Sequence, residues 1–162
     1  MEPESDSRPN HYVELRFEPR WTYISAVRKF LASFFLIGLS DKERAEQISM
    51  AASELLENAV KYSSDDNSQL RIEVRRRGEQ IDLMVENPAD PQQINVLRRE
   101  LALVNAGEAD DGYLRRMEEA AREAGQSRLG LIRIRYEAGA VLRLETNDRT
   151  VRVHAIFPIE EP

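Results

Sequence analysis

Apolar residues recur along the chain with two spacings, which predict two kinds of secondary structure. Apolar and polar side chains alternate in five segments: 12–17, 69–76, 81–85, 141–146 and 150–158. Alternation of this kind indicates a β-strand with one buried face. Apolar residues return every third or fourth position in four other segments: 21–37, 40–63, 91–107 and 113–124. That spacing is typical of amphipathic helices.

The order of these segments predicts the fold class. Short polar turns at 77–80 and 147–148 join neighbouring strands into two antiparallel hairpins. Hairpins whose helices gather on one face make an α+β, two-layer sandwich with a mostly antiparallel sheet. At 162 residues the chain is expected to form one domain over 11–162, preceded by a loose polar tail over 1–10.

The two helices that follow the first strand have predicted ends and faces. In the first, Ile24, Val27, Leu31 and Phe34 share a face, and Gly38 is the predicted stop. The second is predicted to begin with a capping box, in which Ser40 stands three residues before Glu43. Its buried face is predicted to contain Ile48, Ala52, Leu55, Ala59 and Tyr62.

Three polar residues border the buried face of the second helix. At about 100° per residue, Glu54, Asn58 and Lys61 form a stripe beside that face rather than opposite it. A carboxylate, an amide and an ammonium in this position can contact both the rim of the core and a ligand. The alternative is an ordinary solvated surface, on which Glu57 and Lys61 form an i,i+4 ion pair.

The residue types in and around this stripe favour a ligand site. The run Glu54-Leu-Leu-Glu-Asn58-Ala-Val-Lys61-Tyr resembles the N-box of the GHKL ATP-binding superfamily, in particular its anti-sigma-factor Ser/Thr kinases. The resemblance implies ATP and Mg²⁺ as cofactors. It implies that Asn58 is the Mg²⁺ ligand, that Glu54 is the catalytic base and that Lys61 contacts phosphate.

Two glycine motifs of that superfamily are present only in altered form. The first reads Glu86-Asn87-Pro88-Ala89-Asp90, with a carboxylate at its start but proline and aspartate where glycines are usual. The second reads Gly125-Gln126-Ser127-Arg128-Leu129-Gly130-Leu131 and keeps its outer glycines. By resemblance, the nucleotide-binding residues would be Glu86, Asn87, Gly125, Arg128, Leu129 and Gly130.

The segment 129–136 fits two structures. Ile132, Ile134 and Tyr136 alternate with arginines as a strand would, whereas the resemblance implies a helix. The resemblance and the stop at Gly139 favour the helix. Similarity to single-domain anti-sigma-factor kinases extends from Tyr12 to Phe157, and the segment 91–124 takes the place of their ATP lid.

Composition and charge exclude several classes of function. The chain is 41% hydrophobic and 32% charged, with a mean hydropathy of −0.55 and no cysteine. These values predict a cytoplasmic protein without thiolate chemistry or disulfides and without a membrane-spanning segment. A net charge of −6 argues against nucleic-acid binding, and the arginines at 75–77 are expected in a solvated turn. His11 and His154 lack metal-ligand spacing and are expected to be structural or exposed.

Two functions are favoured after these exclusions, while a phosphotransfer protein built on the same fold is disfavoured because no exposed histidine is expected on a helix. The first, implied by the resemblance, is an ATP- and Mg²⁺-dependent Ser/Thr kinase of a bacterial partner-switching system. Such a protein would phosphorylate or sequester a small STAS-like partner. The second is a GHKL-fold regulator that docks on a partner without nucleotide, because four expected glycines are replaced. A homodimer is left open under both.

Overall fold

The computed structural model of the protein describes residues 11–63, 69–106, 115–116, 118–119, 122 and 126–159. The elements are β1 (His11–Phe17), α1 (Trp21–Leu39), α2 (Lys42–Tyr62), β2 (Leu70–Arg77), β3 (Gln80–Pro88), α3 (Pro91–Ala106), α4 (Gln126–Ile132), β4 (Val141–Asn147) and β5 (Thr150–Pro158). A π-helical turn, Arg133–Glu137, continues α4. The predicted second helix of the 91–124 segment lies largely outside the described residues.

The five strands form one antiparallel sheet in the order β1-β2-β3-β5-β4. Both predicted hairpins are present, and β3 joins them by pairing with β5. Helices α1 and α2 pack on each other over one face of the sheet, and α3 and α4 extend the same layer. The α+β, two-layer sandwich is therefore confirmed.

Helix α2 lies at the centre of the helical layer. Ile48, Ala52, Leu55 and Ala59 are at most 2% exposed, as the spacing predicts, and Tyr62 is half-buried. Small residues next to this face, Ala51 among them, are also buried, so α2 approaches both α1 and the sheet closely. The neighbouring polar stripe is thereby held at the edge of the core.

The junction between α1 and α2 differs from the prediction in two ways. Helix α1 continues past Gly38 to Leu39 and ends with Ser40 in the left-handed conformation, at φ 54°. The Ser40 N–H donates to the Leu36 carbonyl at 3.1 Å, which closes the last turn. An N-cap residue needs an extended backbone, so Ser40 cannot cap α2. Asp41 does so instead, and its carboxylate accepts from the Arg44 N–H at 3.1 Å.

The buried face of α1 contains Phe35 and not Phe34, which the spacing had predicted. Ile24, Val27, Leu31 and Phe35 are buried, whereas Phe34 is half-buried. The helix is long and apolar enough to cross a membrane by length and composition alone. Its buried face nevertheless packs into the core of this domain.

The ambiguous segment at 129–136 is helical. Leu131, Ile132 and Ile134 are all at most 2% exposed. A strand would place Leu131 on the face opposite the other two, whereas a helix brings all three toward the core. Burial of three apolar side chains therefore overrides the local alternation.

The outer face of the sheet, away from the helices, is charged. Arg75 lies on β2 and contacts Glu73 at 3.0 Å, so the expectation of a solvated turn for 75–77 is wrong; the turn follows at Gly78, where φ is 55°. His154 is 8% exposed and its Nδ1 lies 2.9 Å from Asp82. This histidine is structural, as expected.

Candidate functional site

An open cleft lies between α2 and α4, with the first residue of α1 at its edge. Its volume is about 540 Å³. The lining residues are Trp21, Glu54, Glu57, Asn58, Lys61, Leu129, Gly130 and Arg133. The structure therefore brings together all three residues of the polar stripe and two residues of the second glycine motif.

Glu54 stands on the inner side of this cleft. Its side chain is 20% exposed, and its Oε1 lies 3.7 Å from the Arg133 guanidinium. Burial raises the pKa of the Glu54 carboxyl, and the negative charge of Glu57 raises it further. Arg133 opposes this rise only in part, so the carboxylate is a stronger proton acceptor than an exposed glutamate.

Gly130 provides the space that Glu54 occupies. A Cβ atom at residue 130 would overlap the Glu54 carboxylate. Contact with Glu54 thus explains why this position on α4 has no side chain. The second glycine motif and the polar stripe are in direct contact.

Asn58 lies between the cleft and a second, smaller cavity and lines both. Its Nδ2 is buried and has no hydrogen-bond partner within the described part of the chain. A buried amide without a partner costs about 1–3 kcal/mol, so it marks a position at which a ligand or water is expected. The Asn58 carbonyl oxygen is a hard ligand of the kind that Mg²⁺ prefers.

Positive charge comes from two sides of the cleft. Lys61 is exposed on the last turn of α2, and Arg133 is half-exposed beside Glu54. An ammonium and a guanidinium at an open cleft suit an anionic group such as a polyphosphate. Among the described residues, no cluster of three or more His, Cys, Asp or Glu side chains could hold a metal ion by itself. A Mg²⁺ ion here would therefore need oxygen ligands from the anion and from water.

The second cavity lies between α2, the sheet and α3 and has a volume of only about 10 Å³, room for one water. Its walls are mostly apolar: Leu55, Asn58, Ala59, Tyr62, Val85, Asn87, Leu97 and Val153. Leu97, from α3, is 5% exposed. Asn87 is 4% exposed, and its Nδ2 donates to the Pro88 carbonyl at 3.0 Å. This cavity extends inward from Asn58 and is closed to anything as large as a purine.

Glu86 lines neither of these two cavities, and its position argues against the predicted role in nucleotide binding. It lies on the outer face of the sheet, where it pairs with Arg71 at 2.8 Å and with Arg152. The hydrogen bond from Arg71 lowers the pKa of the Glu86 carboxyl, and Arg152 lowers it further. Because successive side chains of a strand point to opposite faces, Asn87 faces the helices and Glu86 cannot.

The remaining predicted residues are partly accounted for. Leu129 and Gly130 line the cleft. Gly125 and the side chain of Arg128 lie outside the described residues. Three lining residues, Trp21, Glu57 and Arg133, were not among the predicted site residues. Arg133 follows Gly130 by three positions, a spacing that places it one helical turn along the same face; no local pattern marks Trp21.

Comparisons with known proteins agree with this geometry. The profile of a family described as the histidine kinase-like ATPase domain matches residues 17–133. Among solved structures, a chain in the crystal structure of the SiaB-SiaC complex from Pseudomonas aeruginosa is similar, with a TM-score of 0.71 and 15% sequence identity. That match covers 93% of this chain and 90% of the other. No individual curated protein sequence matches significantly.

Proposed function

Because the chain belongs to the histidine kinase-like ATPase domain family, we propose that it binds Mg·ATP in the cleft between α2 and α4 and phosphorylates a partner protein. The partner would be a small, STAS-like regulatory protein of a bacterial partner-switching system, with a Ser or Thr acceptor. The observation that carries the proposal is the convergence of Glu54, Asn58 and Lys61 with Arg133 in one cleft. The similar chain crystallised in a two-protein complex, which supports a protein partner.

The residues on the phosphate side of the cleft fit a polyphosphate with Mg²⁺. Asn58 would contribute its carbonyl oxygen to the ion and use its buried Nδ2 as a donor. Lys61 and Arg133 would neutralise phosphate charge from two sides. The bound Mg·ATP supplies the phosphoryl group, and the protein contributes positioning and electrostatic stabilisation.

Glu54 is the residue suited to proton transfer. Its raised pKa and its position at the inner side of the cleft favour accepting the proton of an incoming hydroxyl. The nearby Arg133 then stabilises the carboxylate before it takes up the proton. Gly130 leaves the carboxylate the room that this position requires.

If the adenine base of ATP were to bind in the second cavity, beside Asn87 of the first glycine motif, a purine would not fit in this conformation. The second cavity holds about 10 Å³, and Leu97 of α3 forms part of its wall. Pro88, at the end of β3, also lacks the amide donor of the usual glycine. These two observations favour the second candidate function, a regulator that docks on a partner without nucleotide.

A titration with Mg·ATP and Mg·ADP decides between the two functions. Trp21 is the only tryptophan of the chain and lines the cleft, so its fluorescence reports binding there. Under the kinase proposal the signal saturates, and ligand at about 100 times its dissociation constant stabilises the fold by about 2.7 kcal/mol. No fluorescence change and no calorimetric heat at millimolar ligand would leave the docking function.

An asparagine pair provides the control for this titration. Asn58→Ala is expected to remove Mg²⁺-dependent binding, because the metal ligand and the buried donor are both lost. Asn95→Ala, on the exposed side of α3, is expected to bind like the wild type. Equal affinities for both variants would contradict the assignment of Asn58.

A further inference from the structure

Helix α1 has a second apolar face that points away from the domain. Among the described residues, nine large hydrophobic side chains are exposed, and five of them belong to α1: Trp21, Tyr23, Phe30, Leu36 and Ile37. Tyr23 is 42% exposed, Phe30 45% and Ile37 83%. A concentration of this kind on one element indicates an interaction surface rather than the scattered apolar exposure of ordinary proteins.

The spacing on this face suggests what covers it. Tyr23, Phe30 and Ile37 are seven residues apart, and the exposed Ala26 and Ser33 lie between them. A seven-residue repeat with apolar or small residues at the two inner positions is the seam by which one helix packs along another. We call these five residues the α1 seam. None of them carries a charge.

We propose that the α1 seam binds a second copy of the chain, with the two α1 helices antiparallel. Along the seam the side chains alternate large, small, large, small, large. When such a helix meets its own copy in reverse with the two-fold axis between residues 30 and 33, Phe30 of one copy falls opposite Ser33 of the other, and Ile37 falls opposite Ala26. The pattern is therefore complementary to itself, as a two-fold symmetric interface requires.

Charge and size set the expected strength of this dimer. Each copy carries a net charge of −6, but α1 contains only Arg28 and Lys29 and no acidic residue. The seam thus avoids the acidic surface, while the overall repulsion is weakened by salt. A seam from Tyr23 to Ile37 is about 21 Å long, and a single helix pair of this length buries less surface than most stable interfaces. We therefore expect a dissociation constant in the micromolar range.

The dimer leaves the cleft open. Trp21 precedes Tyr23 by two positions, which places it about 200° around the helix from the seam. The cleft-lining end of α1 therefore faces away from the second copy. This proposal consequently stands whether or not the cleft binds nucleotide.

Sedimentation of the full chain from about 1 to about 500 µM tests the proposal. The wild type is expected to pass from monomer to dimer, more readily at higher salt. Phe30→Glu is expected to remain monomeric, because it places a charge on each side of the seam. Val96→Glu, on a similarly exposed apolar residue of α3, is expected to dimerise like the wild type. A monomer at all concentrations, or a dimer unaffected by Phe30→Glu, would overturn the proposal.

Single cysteines test the direction of the pairing, since the chain has no cysteine of its own. Phe30→Cys is expected to form a disulfide-linked dimer under oxidation, because the two copies of residue 30 lie only about 4.5 Å apart along the seam when Phe30 faces Ser33. Ile37→Cys is expected not to, because in the same arrangement the two copies of residue 37 lie about 16 Å apart along the seam. Equal cross-linking at both positions would overturn the antiparallel arrangement. A monomer that floats with anionic vesicles, and loses this on Phe30→Glu, would assign the seam to a membrane surface instead.

Discussion

Glu54 and Glu86 show how one type of side chain takes opposite properties on the two sides of this sandwich. Glu54 is held in a partly buried cleft beside a second carboxylate, and its pKa is raised. Glu86 is held between two guanidinium groups, and its pKa is lowered. The first environment penalises the charged form and the second favours it. Removing the charge from each should therefore have opposite consequences for stability.

Glu54→Gln is expected to make the domain more stable at neutral pH and less active. The folded pKa of Glu54 lies above its ordinary value of 4.5, so ionisation of this carboxyl weakens the fold as pH rises. The amide variant avoids this loss, and its advantage should vanish in urea titrations well below pH 4.5. Under the proposed kinase function, phosphoryl transfer from ATP, measured with water as the acceptor, should fall about 10²-fold or more while Mg·ATP still binds. Unchanged hydrolysis would exclude Glu54 as the base.

Glu86→Gln is expected to have the opposite pH signature and no effect on the cleft. The folded pKa of Glu86 lies below 4.5, so its ion pairs add stability above that pH. This contribution is lost as pH falls through the folded pKa, and the difference between variant and wild type should disappear there. Urea titrations across pH measure it. A change in nucleotide affinity would revive the role for Glu86 that its position on the outer face argues against.

Ser40→Gly is expected to stabilise the protein. Ser40 adopts φ 54°, a conformation that glycine enters without the steric cost of a Cβ atom. Relief of this strain should outweigh the greater freedom of glycine in the unfolded chain, with a net gain of about 0.5–1 kcal/mol in thermal unfolding. Gly38→Ala is the companion variant, because a Cβ atom at residue 38 has nothing within 4 Å and the residue is helical. A loss of stability for Ser40→Gly would mean that the strain at this junction is negligible.

Residues in the cleft were predictable where their role depends on spacing along one element. Glu54, Asn58 and Lys61 share a helical stripe that any regular helix would produce. Strand alternation places Glu86 and Asn87 on opposite faces of the sheet. The prediction for Glu86 instead followed the family motif, which has a carboxylate at this position. Trp21 joins the site only because α1 packs beside α2, a tertiary contact that no local pattern contains.

Helix α3 determines whether the base-binding side of the cleft is accessible. Its predicted stripe of Ile94, Leu97, Leu101 and Val104 is at most 5% exposed. Tyr136 donates to the Val104 carbonyl at 2.9 Å, and Asn105 donates to the Leu142 carbonyl at 3.1 Å. The first helix of the 91–124 segment is thus packed on the domain. A lid function for the whole segment stays a prediction, and it requires that these contacts break.

Leu97→Ala is expected to separate the two candidate functions at the level of this helix. Truncation enlarges the second cavity and costs about 2–5 kcal/mol of stability. If α3 excludes the base, Mg·ATP affinity should rise while affinity for Mg²⁺-tripolyphosphate stays constant. Val96→Ala, its exposed neighbour, should change neither affinity nor stability by more than about 0.5 kcal/mol. Calorimetric titrations of both variants with both ligands measure these affinities. Equal ATP affinities for Leu97→Ala and wild type would show that α3 does not exclude the base.

At the scale of the whole molecule, the sequence patterns predicted the layers better than the surfaces. Alternation and helical spacing identified the two hairpins and the helices because one buried face is enough to impose each period. The charged outer face was not predicted, since its pairs, such as Arg71 with Glu86, depend on strand register rather than on sequence distance. The closed second cavity was not predicted either, because its walls depend on how α3 packs against α2 and the sheet.

The strand order also dictates when the cleft can come into existence during folding. Each hairpin closes through a short turn, whereas the β3–β5 pairing joins Pro88 to Thr150 and must wait for a long loop to close. Gly130 of α4 and Arg133 of the π-helical turn lie inside that loop, while Trp21 and α2 lie before it. The two walls of the cleft are therefore expected to meet in the slow step that joins the two hairpins. A folding intermediate that has α2 and both hairpins, but in which β3 is not yet paired with β5, would present the polar stripe on α2 without a cleft.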